Sequence, residues 1–341
     1  MSLMAKLKKN SKIKLTSEMD KSEFFQEKEV VQTDVPMLNV ALTGSLDGGL
    51  TPGLTVLAGP SKHFKTSFAL KMAAAYLDAK PDAVMLFYDS EFGSPQSYFD
   101  NFGIDTSRVL HVPITDAEQL KFDLVGQLEE IDKDDDVIVV IDSIGNLASK
   151  KELEDTMNEK SVADMSRAKA FKGLFRMVTP YLAMKNIPLL AVNHTYKEIG
   201  LFPKDVVGGG TGIYYSANTI WIIGRRQNKT GTEVTGYDFV IKVEKSRYVK
   251  EQSKIPISVS WEGGIDEMSG LLDVALASGH VVKPSNGWYQ KVGEEKKYRE
   301  KELDKSFWDA ILEDQEFQDY VRKAFTIGSE VVDIGIEVED D

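Results

Sequence analysis

The sequence predicts an α/β fold with a mostly parallel sheet, helices on both faces and a small C-terminal α/β lobe. Short, continuously apolar segments alternate with helix-like segments from residue 54 onward. Strands that are apolar on both faces are typical of parallel sheets buried between two helical layers. After about residue 270 these segments give way to short helices and the stretch GWYQKV, which indicates a separate lobe.

The elements follow in chain order from their patterns. Residues 18–29 are amphipathic, with Phe24 and Phe25 on a charged background, and they predict a helix. LTVLA at 54–58 predicts the first buried strand, and TSFALKMAAAYLDA at 66–79 predicts the first long helix. The other predicted strands are 83–89, 137–142, 187–194, 218–226 and 237–247, the other predicted helices are 117–131, 161–184 and 302–325, and 195–212 is a glycine-rich loop.

Composition excludes several classes of protein. Because the chain has no cysteine, it has no disulfide scaffold and no cysteine-ligated zinc, which suits a reducing compartment such as the cytoplasm. The basic start, MSLMAKLKKNSKIKL, has no apolar core and does not predict a secretion signal. No segment approaches the roughly 18 apolar residues of a membrane span, so no membrane partner is expected.

The net charge of −13 conceals an uneven distribution. Residues 300–341 hold 14 acidic and 4 basic side chains, whereas residues 1–16 hold five lysines and no acid. The segment 165–187 has five basic residues and no acid, and 225–250 has a net charge of +4. Two interpretations stay open here: solvated helix faces with a solubilising acidic tail, or a basic nucleic-acid surface with which the tail competes.

The stretch AGPSKHFKTS at 58–67 is similar to a phosphate-binding loop between a strand and a helix, although a plain strand–loop–helix corner is the alternative. Backbone N–H groups of such a loop and the helix N-terminus face an anion. Lys65 is expected to reach the β and γ phosphates of ATP, and Thr66 to bind Mg²⁺. The residues expected to cradle the nucleotide are Gly59, Pro60, Ser61, Lys62, His63, Phe64, Lys65, Thr66 and Ser67.

Phe64 occupies the position at which the loop pattern has its second glycine. A bulky residue with positive φ would cost about 1–2 kcal/mol at that position. We therefore expect φ of Phe64 to be negative, with Gly59 alone making the tight turn.

Polar side chains follow three predicted strands at their carboxyl ends, where open α/β sheets carry out chemistry. Asp142 ends VIVVID and is either a helix cap or a partner of Mg²⁺. Glu91 follows AVMLFYD and is placed to activate an attacking water, with Asp89 as a rival for that role. His194 ends IPLLAVNH and is either structural or a γ-phosphate contact that signals to the next loop.

The glycine-rich loop at 195–212 is longer than an ordinary connection, and long loops in compact domains are usually functional. Two lysines and an aromatic ring give it charge and a stacking surface, which suits single-stranded DNA, although a flexible linker is the alternative. The residues expected to contact DNA are Lys197, Phe202, Lys204, Gly208, Gly209 and Gly210.

Together these motifs resemble the RecA-type recombinases, and within them the UvsX-type branch of the T-even phages. The resemblance covers about residues 24–325 and is carried by AGPSKHFK, FYDSEFG, IDSIGNLASKK, FRMVTPY, NIPLLAVNHTY, GGGTG, VEKSRYVKE, GGIDEMSGLLD and NGWY. UvsX-type loops also lack the second glycine, so Phe64 resembles a family trait. The resemblance implies an N-terminal oligomerisation segment at 1–40, a RecA-like ATPase core at 41–268, a C-terminal lobe at 269–325 and an acidic tail at 326–341.

The resemblance implies roles in ATP hydrolysis for four residues. Glu91 matches the catalytic glutamate and Asp142 the Mg²⁺ aspartate, while Tyr98 matches the ring that stacks on adenine. His194 stands where RecA has Gln, in the position of a γ-phosphate sensor.

It also implies roles at interfaces. Lys245 and Arg247 match a catalytic basic pair that reaches the ATP of the neighbouring subunit, although RecA has lysine at both positions. Residues 195–212 match the second DNA-binding loop, and about 149–163 the first. The N-terminal segment matches the element that docks on the next protomer.

The predicted function is therefore a DNA-dependent ATPase that uses ATP and Mg²⁺, forms a helical filament on single-stranded DNA and exchanges strands with a homologous duplex. A single-strand-binding protein and a loading mediator are partners implied by the resemblance, and the host cytoplasm is the expected location if the chain is phage-encoded. Two alternatives stay open: a ring-forming DNA helicase of the same ATPase fold, which would want an added N-terminal domain, and an accessory protein that binds ATP without turnover.

Overall fold

The computed structural model describes residues 1–22, 24, 28–158, 166–198, 203–230 and 233–328. The helices are α1 (Leu3–Asn10), α2 (Pro36–Thr43), α3 (Lys65–Ala79), α4 (Gln96–Asp100), α5 (Ala117–Glu130), α6 (Lys150–Met157), α7 (Ser166–Met184), α8 (Thr211–Ser216), α9 (Leu271–Ala277), α10 (Lys305–Leu312) and α11 (Gln315–Phe325). The strands are β1 (Gly53–Ala58), β2 (Val84–Asp89), β3 (Val109–Pro113), β4 (Val137–Asp142), β5 (Pro188–Asn193), β6 (Thr195–Lys197), β7 (Asp205–Val207), β8 (Thr219–Thr230), β9 (Glu233–Ser246), β10 (Lys254–Ser260), β11 (Gly264–Ile265), β12 (Val281–Ser285) and β13 (Trp288–Lys291).

The centre of the molecule is a nine-stranded sheet in the order β11-β10-β9-β8-β1-β5-β4-β2-β3. The six strands from β8 to β3 are parallel to one another, whereas β9, β10 and β11 are antiparallel to their neighbours. β1, β4 and β5 are buried along their whole length, as expected for strands covered on both faces. The predicted fold class, a mostly parallel α/β sheet, is confirmed.

Two hydrophobic cores lie on opposite faces of this sheet. The first contains Phe68 of α3 and continues into the C-terminal lobe through Trp308 and Phe317. The second contains Leu124 of α5 and Phe171 of α7. The C-terminal lobe therefore packs on the same core as the sheet, and the domain boundaries given above stay a prediction.

The structure departs from two predicted helices. The helix predicted at 302–325 is divided into α10 and α11, because Asp314 accepts hydrogen bonds from the backbone N–H groups of Glu316 and Phe317 and starts a new helix. Of the helix predicted at 18–29, the described residues include a 3₁₀ turn at Met19–Lys21 and no α-helical turn, and Phe25 lies outside the described residues.

Other elements lack the pattern that would have predicted them. Six of the eight residues of α2 are buried. Because the helix has no polar face, its sequence lacks the alternation of apolar and polar residues that predicts a surface helix. The edge strand β3, with the sequence VLHVP, exposes both Leu110 and His111 and is not a continuous apolar segment. The short hairpin of β6 and β7 lies inside the predicted glycine-rich loop.

Within the described ranges, no helix combines the length and apolar character needed to cross a membrane.

Candidate nucleotide site and adjoining loops

A cleft of about 440 Å³ opens at the carboxyl ends of the central parallel strands. The register of the sheet explains its position, because Ala58 of β1 pairs with Asn193 of β5, and Asp89 of β2 pairs with Asp142 of β4. Polar residues that follow these strands therefore meet at one edge. The predicted site residues that line the cleft are Ser61, Lys62, His63, Phe64, Lys65, Thr66, Ser67, Glu91, Tyr98, Asp142 and His194.

The loop between β1 and α3 encloses one side of the cleft. A Cβ atom on Gly59 would lie 2.8 Å from the carbonyl oxygen of Ile223, so a larger residue does not fit there. Lys65 is 6% exposed, and its Nζ donates a hydrogen bond to the carbonyl of Pro60 at 2.7 Å. Burial lowers the pKa of Lys65. A buried ammonium group in the first turn of a helix is suited to bind an anion.

The expectation for Phe64 is wrong: its φ is 59° and its ψ is 17°, in the left-handed region. The cost of about 1–2 kcal/mol for this conformation is offset by packing of the ring. The Phe64 ring stacks on Phe239 with centroids 5.0 Å apart and meets the edge of Phe68 at 5.4 Å. Two such pairs contribute about 1–3 kcal/mol beyond area burial. Aromatic packing thus stabilises at this position a turn for which glycine would otherwise be favoured.

Thr66 and Asp142 form a polar pair at the bottom of the cleft. Thr66 Oγ1 donates a hydrogen bond to Asp142 Oδ2 at 2.8 Å. Asp142 is 3% exposed, and its Oδ1 has no hydrogen-bond partner in the part of the chain that the structure describes. Burial raises the pKa of Asp142 to about 6, against the opposing effect of the Thr66 hydrogen bond. A buried carboxylate oxygen without a donor, next to a hydroxyl group, fits a hard divalent cation such as Mg²⁺.

Glu91 lies across the cleft from this pair and is held through one oxygen. Its Oε1 accepts hydrogen bonds from Ser143 Oγ and Asn146 Nδ2, both at 2.9 Å. The Glu91 side chain remains 35% exposed, so water reaches it. Asp89, the rival for the same role, is 5% exposed and does not line the cleft. The geometry therefore favours Glu91 as the group that contacts a reacting water.

His194 joins the cleft to the glycine-rich loop. Its Nε2 lies 3.3 Å from Glu91 Oε1, and its carbonyl accepts a hydrogen bond from the N–H of Gly208 at 3.0 Å. Asn193 Nδ2 donates to the carbonyl of Gly208 at 2.8 Å, so both backbone polar groups of Gly208 are held. His194 therefore contacts Glu91 of the cleft through its ring and the glycine-rich loop through its backbone.

The predicted DNA contacts form the hairpin and turn after His194. Lys197 ends β6 and pairs with Asp205 of β7 at 3.3 Å, while Lys204 is exposed beside it. Gly209 and Gly210 have φ of 91° and 78°, and Gly210 precedes the first turn of α8. Phe202 lies outside the described residues.

The region predicted as the first DNA-binding loop is partly helical. Its residues 150–157 form α6, capped by Ser149 and Glu152, and residues 159–163 lie outside the described part. On the neighbouring basic helix α7, Arg167 and nearby Lys185 donate hydrogen bonds to backbone carbonyls. The exposed basic residues there are Lys169, Lys172 and Arg176.

Sequence reasoning missed a cluster of aromatic and basic residues at the rim of the cleft. Arg225 Nη1 donates to the carbonyl of Lys62 at 3.1 Å, and its guanidinium lies 4.8 Å from the centre of the Tyr237 ring. Tyr237 also meets the edge of Trp261 at 5.3 Å. These residues come from β8, β9 and the turn after β10. The register of these strands cannot be predicted from any local motif. The signal that could have found them is the Arg-Arg pair at the end of the predicted strand.

Lys245 and Arg247 are not brought to this cleft. Lys245 Nζ donates hydrogen bonds to the carbonyls of Tyr214 and Ala217, the latter at 2.8 Å, at the carboxyl end of α8. Burial lowers the pKa of Lys245, and the nearby charge of Arg247 acts in the same direction. Arg247 itself is exposed.

Comparisons with known proteins match nearly the whole chain. A family model for the RecA N-terminal domain matches residues 4–266. A second model, described as Bacteriophage T4, Recombination and repair protein, C-terminal domain, matches residues 268–321. The recombination and repair protein of Enterobacteria phage T4 is 51% identical over 338 residues, which cover 96% of this chain and 86% of that protein. Protein RecA of Thermus aquaticus is 26% identical over 272 residues, which cover 75% of this chain and 77% of that protein.

Proposed function

Because the chain belongs to the RecA family and is a recombinase, we propose that it forms a helical filament on single-stranded DNA and uses ATP hydrolysis to control strand exchange with a homologous duplex. The observation that carries this proposal is the link through His194. Its ring contacts Glu91, and its carbonyl holds Gly208 of the glycine-rich loop. A single residue thus contacts both the group proposed to act on water and the loop proposed to bind DNA.

In this proposal ATP lies in the cleft, with its phosphates against the loop from Gly59 to Ser67 and its adenine near Tyr98. Lys65 supplies the cation for the phosphates. Thr66 Oγ1 and Asp142 would hold Mg²⁺; the structural support is Asp142 Oδ1, which is buried without a hydrogen-bond partner among the described residues. When bound, Mg²⁺ neutralises negative charge on the phosphates.

Glu91 is the proposed general base, taking a proton from the attacking water. Ser143 and Asn146 hold its Oε1, which limits the rotation of the carboxylate. The same oxygen contacts His194, so a group that bound the imidazole would also alter the surroundings of the base. This contact is the proposed route by which γ-phosphate changes the loop at 195–212.

The filament interface is proposed to involve the N-terminal segment and the C-terminal part of the core. Helix α1 has no buried residue and exposes Leu3, Met4 and Leu7, an apolar surface that a neighbouring protomer would cover. Lys245 and Arg247 are proposed to act on the ATP of the adjacent subunit, since they lie away from the cleft of their own chain. A cation supplied in trans to a phosphoryl group is a common device for coupling assembly to hydrolysis.

DNA is proposed to bind along the loop at 195–212 and the exposed face of α7, where basic side chains meet phosphate. The acidic tail at 326–341, which extends past the described residues, is proposed to compete for the same surface. The host cell cytoplasm is the proposed location, and a single-strand-binding protein and a loading mediator are the proposed protein partners.

One experiment tests the proposed function. ATP hydrolysis is measured with and without single-stranded DNA, and the products are viewed by electron microscopy. We expect DNA-stimulated hydrolysis and helical filaments on the DNA. Closed rings would favour the helicase, and ATP binding without turnover would favour the accessory protein; either result would contradict the proposal.

A further inference from the structure

The turn that carries Glu91 is held by the side chain of Asp89. Asp89 ends β2, and its Oδ1 accepts hydrogen bonds from the backbone N–H groups of Glu91 at 2.9 Å and of Phe92 at 2.8 Å. Phe92 has a φ of 54°, a conformation that bulky residues rarely adopt, so the turn depends on such contacts. With one oxygen accepting two N–H donors at the start of the turn, the carboxylate sets the direction in which the Glu91 side chain leaves the backbone.

The second oxygen of Asp89 contacts the outermost strand of the sheet. His111 of β3 has its Nε2 3.3 Å from Asp89 Oδ2. In the strand register His111 pairs with Phe87, and their rings stack with centroids 5.9 Å apart at an angle of 26°. Because Phe87 and Asp89 are two residues apart on β2, they face the same side, and His111 reaches both.

The other end of the turn is fastened to β4. Ser90 Oγ donates to the carbonyl of Ser143 at 2.7 Å, and the N–H of Ser90 donates to the carbonyl of Asp142 at 2.9 Å. The turn at 90–92 is therefore held between two strands. β4 supports it through backbone carbonyls beside the cleft. On the other side, the N–H of Ile114, just after β3, donates to the carbonyl of Asp89 at 2.9 Å, and His111 is the side chain of β3 that contacts Asp89 from outside the cleft.

We propose that Asp89 and His111 form a positioning pair for Glu91, with His111 as the residue by which the edge strand β3 controls the orientation of the base. The inference rests on the proposed role of Glu91 in ATP hydrolysis. His111 orients the Asp89 carboxylate, Asp89 orients the turn, and the turn orients Glu91. Neither residue of the pair touches the nucleotide cleft. The pair consequently affects the rate of the chemical step and leaves nucleotide binding unchanged.

The test compares two substitutions at His111 in the full-length protein on single-stranded DNA. His111→Phe keeps a ring that stacks on Phe87 but removes the hydrogen-bond donor. His111→Gln has an amide nitrogen that reaches the place of Nε2 and restores the donor. We expect His111→Phe to lower kcat about tenfold, less than the roughly 10²-fold that a 1 Å misplacement can cost. KM for ATP and the affinity for DNA stay within about twofold, and His111→Gln recovers most of kcat.

Leu110→Ala is the matched control. Leu110 precedes His111 on β3, is 50% exposed and faces the opposite side of the sheet, so its truncation perturbs the edge strand without touching Asp89. Wild-type kcat in His111→Phe would overturn the inference. So would an equal loss of kcat in Leu110→Ala, or a loss in His111→Phe that His111→Gln does not rescue. Glu91→Gln separates the two claims: if that variant hydrolyses ATP normally, the proposed role of Glu91 in hydrolysis has failed, and not only the positioning pair.

Discussion

His194 Nε2 lies 3.3 Å from Glu91 Oε1, and both side chains are about one third exposed to the nucleotide cleft. The backbone of His194 meanwhile accepts the N–H of Gly208 from the glycine-rich loop. These two contacts place His194 between the site proposed for hydrolysis and the loop proposed for DNA. Nucleotide state and DNA affinity are therefore expected to be coupled through this residue.

Replacing His194 tests that coupling. In the wild type, we expect the affinity for single-stranded DNA to differ about 5–150-fold between the complex with a nonhydrolysable ATP analogue and the complex with ADP, the range typical of coupled sites. With His194→Ala, we expect the two affinities to be nearly equal. ATP binding should change little, because the loop at 59–67 is intact. His194→Gln is the control, since RecA has Gln at this position and its amide can also contact phosphate. An unchanged ratio in His194→Ala would contradict the sensor role.

Phe64→Gly introduces the glycine that phosphate loops usually have at this position. In this protein we expect the change to lower stability and weaken ATP binding. The change relieves about 1–2 kcal/mol of backbone strain but removes two aromatic contacts and leaves a more flexible unfolded chain. We expect a net loss of about 1 kcal/mol or more in the free energy of unfolding, measured by urea titration, and weaker ATP binding. Phe239→Ala should be non-additive with Phe64→Gly by about 0.5–1.5 kcal/mol, because the two rings stack. A variant as stable as the wild type would contradict this expectation, because the aromatic contacts would then do no more than offset the backbone strain.

Asp142 makes the stability of the metal-free protein depend on pH. Burial raises the pKa of this carboxyl from 3.8 to about 6, so between these values the folded protein keeps a proton that the unfolded chain has released. The contribution of Asp142 to the free energy of unfolding is fully present below pH 3.8 and is lost as pH rises to about 6. The total loss is at most about 3 kcal/mol. Asp142→Asn has no such titration.

We therefore expect the melting temperature in EDTA to fall more between pH 4.5 and pH 7 for the wild type than for Asp142→Asn, by several degrees. Adding Mg²⁺ and ATP at pH 7 should raise it more for the wild type. Parallel pH profiles for the two proteins would contradict the raised pKa.

The sequence predicts the inner strands β1, β4 and β5 well because they are continuously apolar and buried on both faces. It also predicts the residues that follow the parallel strands, since the parallel order brings Glu91, Asp142 and His194 to one edge. What it could not predict depends on long-range packing. The φ of Phe64 is decided by Phe239, which is 175 positions away in the chain and meets Phe64 only after β9 has joined the sheet.

The same reason explains the two features of most consequence that were missed. His111 lies on a strand without an apolar pattern, and its contact with Asp89 appears only once β2 and β3 are paired. The bonds from Lys245 to α8 require the register of β8 against β9, with its irregularity between Ile220 and Trp221. The strand propensities of the individual residues do not predict either pairing.

The central claim is that ATP is hydrolysed between two protomers, and mixing two inactive variants tests it most directly. Lys65→Ala lacks the phosphate-loop cation, and Arg247→Ala lacks the proposed cation in trans, whose loss can cost about 10³-fold or more in rate by analogy with arginine fingers. In a mixed filament some sites combine an intact loop from one subunit with an intact Arg247 from its neighbour. DNA-stimulated ATP hydrolysis is measured across mixing ratios, with assembly of each variant checked by electron microscopy. We predict activity that is low for either variant alone and highest near equal proportions; no recovery at any ratio, with mixed filaments confirmed, would contradict hydrolysis at the interface.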